Sequence, residues 1–360
     1  MKDNRASSIT RELLMKCYHD YPEMQIRDFF KFIHQSTFGC EHMVSSQEDA
    51  VAYIKEEYAR GVADSTAYVE PLDGNYSRVG LSYLDLGMSA QTLGRLFFLS
   101  AKKESNGEAE LTEKLEAFKT LANENKLPFS YEETEKAVGK WREQGYPALH
   151  HSDEYRQKYN PSYRVIANRF VPFLPLFAEI DKRIGNGLFK VAVEGGSASG
   201  KTTLGEMLRE VYGCTVLHTD DFFLRPEQRT EERFAEVGGN FDRERFLEEV
   251  LVPLKNGNVI DYRRFDCGQM QLQSAVKIKP DKLTVIEGAY SMHPELAGYY
   301  DLSVFLDIDA GVQKERILKR NSAQMAERFF TEWIPLENRY FSQTDAKGRC
   351  DLCVVISDPK

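Results

Sequence analysis

The sequence contains no apolar run of about 18 residues, the length that a membrane-spanning helix requires. Its N-terminal stretch MKDNRASSITRELLMKCYHD contains no apolar core of signal-peptide length. These two absences predict a cytoplasmic protein that is not secreted and has no membrane partner.

Cysteine is scarce, and the six cysteines are scattered at positions 17, 40, 214, 267, 350 and 353. In a long chain predicted to be intracellular, this scatter favours free thiols over a disulfide framework. The segment CDLC (350–353) has the spacing of half a zinc site or of a redox pair, but the second pair that a zinc site needs is missing. We expect neither function from it.

Long basic runs are also missing, and 56 acidic side chains outnumber 47 Lys and Arg, which gives a formal net charge of -9. This balance disfavours nucleic acid as a partner, although it leaves a local basic groove open. A content of 42% hydrophobic and 29% charged residues is typical of a globular protein, and 360 residues suggest about two domains. The oligomeric state stays unknown.

The first half of the sequence has helical periodicity. Apolar residues recur every three to four positions in IRDFFKFIHQ (26–35), SSQEDAVAYIKEEYARG (45–61), SAQTLGRLFFLSAKK (89–103), ELTEKLEAFKTLANEN (110–125) and SYEETEKAVGKWREQG (130–145). A last helix in LFAEIDKRIGNGLFK (176–190) ends at Gly-Asn-Gly. We predict a mainly α-helical domain of unknown function over residues 1–184 and a second domain over 185–360.

The second half alternates apolar strands with helical patterns. The strands are FKVAVEG (189–195), GCTVLHTDD (213–221), LTVIEGAY (283–290), DLSVFLDID (301–309) and CDLCVVIS (350–357). This alternation predicts an α/β fold with a central parallel sheet, whose ligands lie beyond the carboxyl ends of the strands.

The first of these strands enters a glycine-rich loop, VAVEGGSASGKTTLGEML (191–208), which fits the pattern G-x-x-x-x-G-K-[ST]. In this pattern backbone N–H groups face phosphate oxygens, the lysine reaches the outer phosphates, and the hydroxyl serves Mg²⁺. An ordinary glycine-rich turn is the alternative, but the strand before and the helix after favour phosphate binding. The predicted nucleotide-binding residues are Gly195, Gly196, Ser197, Ala198, Ser199, Gly200, Lys201, Thr202 and Thr203.

Carboxylates follow the next two strands: Asp220 and Asp221 after TVLHT, and Glu287 after LTVI. Beside a phosphate site such groups can bind Mg²⁺ or accept a proton from an attacking hydroxyl. The alternatives are a helix N-cap pair for the two aspartates and a solvated strand end for the glutamate.

Basic side chains follow the fourth strand in DAGVQKERILKRNSAQMAER (309–328). A mobile positive segment that closes over a transferring phosphoryl group neutralises its charge and excludes water. A solvated helix face is the alternative. The candidates are Arg316, Lys319, Arg320 and Arg328.

Residues 186–358 resemble the uridine kinase and phosphoribulokinase family of P-loop kinases. The resemblance rests on the order of the segments EGGSASGKTTL, TDDFFL, NFDRERF (240–246), VIEGAY and FLDIDAGVQKERILKRN. It implies a P-loop kinase fold, ATP and Mg²⁺ as cofactors, and phosphoryl transfer to a small hydroxyl compound.

The resemblance also implies a role for each matching residue. Asp220, rather than Asp221, matches the family's catalytic base. Thr202 and Glu287 match its metal positions, Asp242 matches its ribose contact, and Tyr262 matches its substrate-side tyrosine. Lys201, Arg316 and Arg320 complete the catalytic set that the resemblance implies. Uridine kinases follow that tyrosine with a histidine that helps to read the pyrimidine, whereas Cys267 stands near that place here. The acceptor therefore stays open among a nucleoside, another ribose-like alcohol and a different small hydroxyl compound.

Two clusters in the first half carry groups with binding chemistry. FIHQSTFGCEHM (32–43) holds His34, Cys40 and His42; YPALHHSDEYRQKYNPSYRVI (146–166) holds His150, His151, Arg156, Tyr159, Tyr163 and Arg164. A metal site or a site for an anionic or ring-bearing ligand is one interpretation, and capping, core packing or contact with the second domain is the other.

Together these features predict an ATP-dependent kinase that phosphorylates a small alcohol. A nucleotide-binding regulatory or scaffold protein that uses the P-loop as a switch is an alternative, and a nucleotide hydrolase is another. The complete set of base, metal and lid candidates disfavours the switch, because binding alone does not need them.

Overall fold

The computed structural model describes residues 2–40, 46–61, 69–101 and 107–357. The chain divides into two compact units, Met1–Lys182 and Arg183–Lys360. This division lies close to the boundary predicted at residue 184, and the independent folding of two domains stays a prediction. Within the described residues, no helix has both the length and the apolar character needed to cross a membrane.

The first unit is mainly helical, which confirms the prediction. Its helices are α1 (Lys2–Asp20), α2 (Ile26–Phe38), α3 (Gln47–Ala59), α4 (Ala90–Ser100), α5 (Gly107–Asn123), α6 (Tyr131–Glu143), α7 (Asp153–Tyr159) and α8 (Leu174–Arg183). A three-stranded antiparallel sheet of β1 (Val69–Pro71), β2 (Tyr76–Gly80) and β3 (Tyr163–Ala167), in that order, was not predicted. Every residue of β2 is buried, so it lacks the alternation that marks a half-exposed strand.

Helix α2 forms the centre of the first unit. Phe29, Phe32 and Ile33 are fully buried, and the Phe29 ring stacks on that of Phe118 with 5.1 Å between centroids. Asp28 caps the helix by accepting a hydrogen bond from the Gln25 backbone N–H at 2.9 Å. The aromatic core thus fixes the position of α2, and the Asp28 cap fixes its start.

The second unit contains a central parallel sheet, as predicted. Its five strands are β4 (Phe189–Gly195), β5 (Thr215–His218), β10 (Leu283–Glu287), β11 (Leu302–Ile308) and β12 (Leu352–Ile356). Their order in the sheet, which was not predicted, is β12–β11–β4–β10–β5. The short strands β6 (Ile260–Tyr262), β7 (Phe265–Asp266), β8 (Gln271–Leu272) and β9 (Val276–Ile278) pair as β6–β9 and β7–β8. With two or three residues each, they are too short to leave a periodic signal.

The helices of this unit are α9 (Lys201–Tyr212), α10 (Glu231–Ala235), α11 (Arg243–Phe246), α12 (Val252–Lys255), α13 (Ala310–Arg320), α14 (Ala323–Arg328), α15 (Ile334–Thr344) and α16 (Ala346–Arg349). A π-helical turn, Phe329–Trp333, joins α14 to α15. The central strands are buried on both faces, as a parallel sheet covered by helices requires. In the register of the sheet, Glu287 lies between Val193 and His218, so the carboxyl ends of three strands meet at one edge.

Candidate active site

A tight loop joins β4 to α9 at the centre of this edge. Its backbone has positive φ at Gly195 (150°), Ala198 (62°) and Gly200 (99°). A Cβ atom at Gly195 would lie 2.7 Å from the Leu306 carbonyl oxygen, so only glycine fits there. The loop leads into the N-terminus of α9, a twelve-residue helix, where backbone N–H groups attract anions.

Lys201, the first residue of α9, is 9% exposed. Its Nζ donates a hydrogen bond to the Gly196 carbonyl at 2.9 Å, which folds the ammonium back over the loop. A cation is thereby held above the same loop whose backbone N–H groups attract anions.

Glu337 on α15 also contacts this loop, and sequence reasoning did not find it. Its carboxylate accepts hydrogen bonds from the Ser197 N–H at 2.8 Å and from the Ser197 hydroxyl at 2.6 Å. Burial raises the pKa of this carboxyl, whereas Lys201 opposes the rise. Because Glu337 stands 140 positions from Ser197, no local pattern could have indicated the contact.

Glu287 and Thr202 lie together at the end of β10. The Thr202 hydroxyl donates to Glu287 Oε1 at 3.0 Å, and the same oxygen contacts His218 Nδ1. The bond to Glu287 raises the pKa of His218 against the effect of burial. Two hard oxygen groups are thus adjacent, which is the donor type that Mg²⁺ prefers.

The side chains of the adjacent residues Asp220 and Asp221 lie in different surroundings. Asp220 is exposed, and it lines the cavity above the loop. Because protein encloses it on the other sides, desolvation raises the pKa of its carboxyl; Lys201 opposes this, and Glu287 adds to it. Asp221 instead accepts a hydrogen bond from the Tyr262 hydroxyl at 2.7 Å and pairs with Arg264 at 3.2 Å.

The other predicted substrate residues are buried beside the cavity rather than in its lining. Asp242 is 1% exposed, caps α11 and pairs with Arg245 at 3.3 Å. Tyr262 is 3% exposed, and its hydroxyl accepts a hydrogen bond from the His218 N–H at 3.1 Å. Tyr262 thus holds the segment that carries Asp220 and Asp221, and Arg245, the partner of Asp242, donates to the Asp221 carbonyl at 3.3 Å.

Helix α13 brings three of the predicted basic residues to the cavity, namely Arg316, Lys319 and Arg320. Arg316 donates to the Ala198 carbonyl at 3.2 Å, and the Arg320 guanidinium lies 5.9 Å from the centre of the Phe329 ring. Arg328 lies outside this lining and pairs with Glu332 at 3.0 Å. The cavity has a volume of about 740 Å³, and its remaining walls include Phe223, Asn240, Tyr290, Phe329 and Trp333.

The buried carboxylate of Glu194 is hydrogen-bonded to the phosphate loop. Glu194 is fully buried and accepts hydrogen bonds from the Gly195 N–H at 2.9 Å, from the Met292 N–H at 2.9 Å and from the Tyr340 hydroxyl at 3.0 Å. Burial raises its pKa to about 7, against the lowering effect of these bonds. Glu194 therefore joins the loop to α15 and to the segment after β10.

Glu194→Gln should change the pH dependence of stability. The folded protein retains a proton on Glu194 up to about pH 7, whereas an unfolded glutamate loses it near 4.5. The stabilisation from this proton is complete below 4.5 and lost as pH rises through 7, a change of about 2 kcal/mol between pH 5 and pH 8. In denaturant unfolding, the free energy of unfolding of the wild type should exceed that of the variant by more at pH 5 than at pH 8. An equal difference at both pH values would rule out this titration.

The two polar clusters of the first half do not form a metal centre among the described residues. Cys40 is buried, with Sγ 3.7 Å from the Phe97 carbonyl and 3.6 Å from that of Val165. His42 lies outside the described residues. His34 is buried within α2, whereas His150 and His151 line a separate cavity of the first unit.

The fold and the loop define a protein of the P-loop class. A family model described as Phosphoribulokinase / Uridine kinase family matches residues 191–328. The chain is 30% identical over 146 residues to a uridine kinase of Deinococcus deserti. The matched region covers 38% of this chain and 70% of that protein. The chain belongs to the phosphoribulokinase / uridine kinase family.

Other similarities are more partial. The chain is 29% identical over 139 residues to a uridine kinase of Chlamydia pneumoniae, covering 36% of this chain and 61% of that protein. It thus spans less than two thirds of the Chlamydia protein. A solved structure described as a possible uridine kinase from Bacillus stearothermophilus is 20% identical, with a TM-score of 0.38 over 47% of this chain and 90% of that chain.

Proposed function

We propose that the second unit is an ATP-dependent kinase that transfers the γ-phosphoryl group to a hydroxyl of a small molecule, most simply a nucleoside or another ribose-like alcohol. The observation that carries the proposal is the place of Asp220. It faces the same cavity as Lys201 and the phosphate loop, whereas the neighbouring Asp221 is held by Tyr262 and Arg264. A nucleotide site that only binds does not need a carboxylate there.

Asp220 acts as the general base in this proposal. A carboxylate in hydrogen-bond reach of an acceptor hydroxyl takes its proton as the oxygen attacks phosphorus. The raised pKa of Asp220 brings its basicity closer to that task than an ordinary surface aspartate would have. The acceptor lies in the part of the cavity that Phe223, Asn240 and Tyr290 line.

Cations hold the phosphates in line with that acceptor. Lys201 and the loop N–H groups bind the nucleotide phosphates, while Arg316 and Arg320 neutralise the charge that develops on the transferring group. Thr202 and Glu287 would hold Mg²⁺, which supplies further neutralisation of the phosphate oxygens. The adjacency of their oxygens fits that ion.

The names of the curated relatives support a nucleoside as the acceptor, because both are uridine kinases. Cys267 in place of the family histidine leaves recognition of the base open. ADP release from Mg·ATP, measured against nucleosides, ribose-like sugars and other small alcohols, tests the proposal. Stimulation by one acceptor supports a kinase; release that no acceptor changes supports a hydrolase, and tight ATP binding without release supports a switch.

Glu337→Gln should strengthen the binding of Mg·ATP by about tenfold. The carboxylate occupies the Ser197 donors, where it repels incoming phosphates, and the neutral amide removes that repulsion. Calorimetric titration measures the change in Kd. Glu332→Gln is the matched control, because Glu332 precedes the same helix but pairs with Arg328. Weaker binding by Glu337→Gln would instead make Glu337 a residue that positions the loop.

A further inference from the structure

The first unit contains a cavity of about 630 Å³ that the proposed kinase activity does not use. Its walls come from α2, α3, α4, the loop before α7, α7 and β3, and they include Lys31, Glu57, Phe97, His151, Tyr163 and Arg164. Aromatic rings and cationic groups thus face one space.

The cationic groups of this lining outnumber its carboxylates. Glu57 pairs with Arg164 at 2.8 Å, so these two charges compensate each other. Arg156 lies at the rim, with 54% of its side chain exposed, and pairs with Asp153. Lys31 forms no ion pair with any described residue.

Lys31 is 6% exposed, and its Nζ donates to the Leu149 carbonyl at 2.9 Å. Across the described parts of the chain, no carboxylate lies within ion-pair distance of this ammonium. Burial lowers the pKa of Lys31 to about 8; Arg78 adds to the lowering, and Asp28 opposes it. A buried ammonium without a paired carboxylate is costly, and its one hydrogen bond to a described residue leaves two of its three N–H donors for another partner.

The charge of Asp28 favours the Lys31 ammonium, but the oxygens of Asp28 accept hydrogen bonds from other donors. Oδ1 lies 2.8 Å from His151 Nδ1, and Oδ2 accepts from the Ser152 hydroxyl at 2.6 Å and from the Gln25 N–H at 2.9 Å. The carboxylate thus fixes the cavity wall rather than pairing with Lys31.

This wall is held rigidly by further bonds. His151 Nε2 lies 2.7 Å from the Tyr163 hydroxyl, and the Tyr163 ring faces the guanidinium of the buried Arg78 at 4.7 Å. Burial lowers the pKa of His151 to about 4, so its ring is neutral at pH 7. A preformed polar wall of this kind lowers the entropic cost of binding a ligand.

We propose that this cavity binds a small organic anion, whose phosphate or carboxylate group pairs with the Lys31 ammonium. The rings of Phe97 and Tyr163 offer apolar contact to the remainder of the ligand. The proposal concerns the first unit alone and does not depend on the kinase activity of the second.

Calorimetric titration of the full chain with inorganic phosphate, uridine monophosphate and citrate tests the proposal. We expect at least one probe to bind, and Lys31→Met to weaken that binding at least tenfold. The Lys55→Met variant changes an exposed position of α3 and should bind the same probe as tightly as the wild type does. Lys201→Met separates the two anion sites, since it disables the phosphate loop only. Phosphate and citrate identify which oxyanion the cavity accepts.

Three results would overturn the proposal: no binding by any probe, binding that Lys201→Met abolishes, or equal binding by Lys31→Met and the wild type. Thermal unfolding without anion adds a readout of structural roles. Lys31→Met should then unfold at the same or a higher temperature than the wild type, because it removes the desolvation cost of a buried charge. If the variant does not fold, NMR of the wild-type Lys31 ammonium replaces it; the bound anion must raise the pKa of Lys31, and an unchanged pKa refutes the proposal.

Discussion

Asp220→Asn is expected to lower kcat for acceptor phosphorylation by about three orders of magnitude and to change the Kd for Mg·ATP by less than about threefold. The amide retains the shape of the side chain but cannot take the proton of the acceptor hydroxyl. The phosphate loop and Lys201, which would hold the nucleotide, remain in place. Discontinuous or coupled assays of acceptor phosphorylation measure kcat, and calorimetry measures the Kd for Mg·ATP.

Asp221→Asn is the matched control for this experiment. It removes the same charge one residue further along, from a side chain that Tyr262 and Arg264 hold away from the phosphate loop. We expect it to retain kcat within about tenfold. Equal losses in the two variants, or full activity of Asp220→Asn, would contradict the assignment of Asp220 as the base.

Lys201→Met is expected to have the second large effect, a loss of about two to three orders of magnitude in kcat/KM for ATP. The ammonium is the buried cation at the phosphate loop, where it donates to the Gly196 carbonyl. Methionine keeps most of the chain length but offers no charge to the phosphates. Steady-state kinetics at varied Mg·ATP measures the loss.

Lys190→Met controls for the removal of a lysine from the same segment. Lys190 stands on β4 before the loop, and its Nζ pairs with Asp301 at 2.7 Å. This variant should leave kcat/KM for ATP within about threefold of the wild type. A comparable loss in both lysine variants would point to a general effect on folding rather than to phosphate binding.

Local patterns predicted the parts of the second unit that they encode directly. Buried parallel strands read as continuous apolar runs, so five strands and their common sheet could be inferred. The position of Asp220 after such a strand predicted that it lies near the phosphate loop, and the cavity contains both. The role of each site residue stays a prediction.

Contacts between distant segments could not be predicted. Glu337 meets Ser197 across 140 positions, and its surroundings in sequence resemble any amphipathic helix. The buried network of Asp28, His151 and Tyr163 depends on a fold in which α2 and β3 approach each other. Periodicity reports which face of an element is buried, but it does not report which element covers that face.

The central claim is that the chain moves a phosphoryl group to a small alcohol. The most direct measurement follows ADP and the mass of the acceptor in one reaction with Mg·ATP, using the acceptor that stimulates ADP release most. We expect one phosphorylated acceptor for each ADP formed and neither product with Lys201→Met. ADP that accumulates together with inorganic phosphate, while the acceptor stays unchanged, would contradict it.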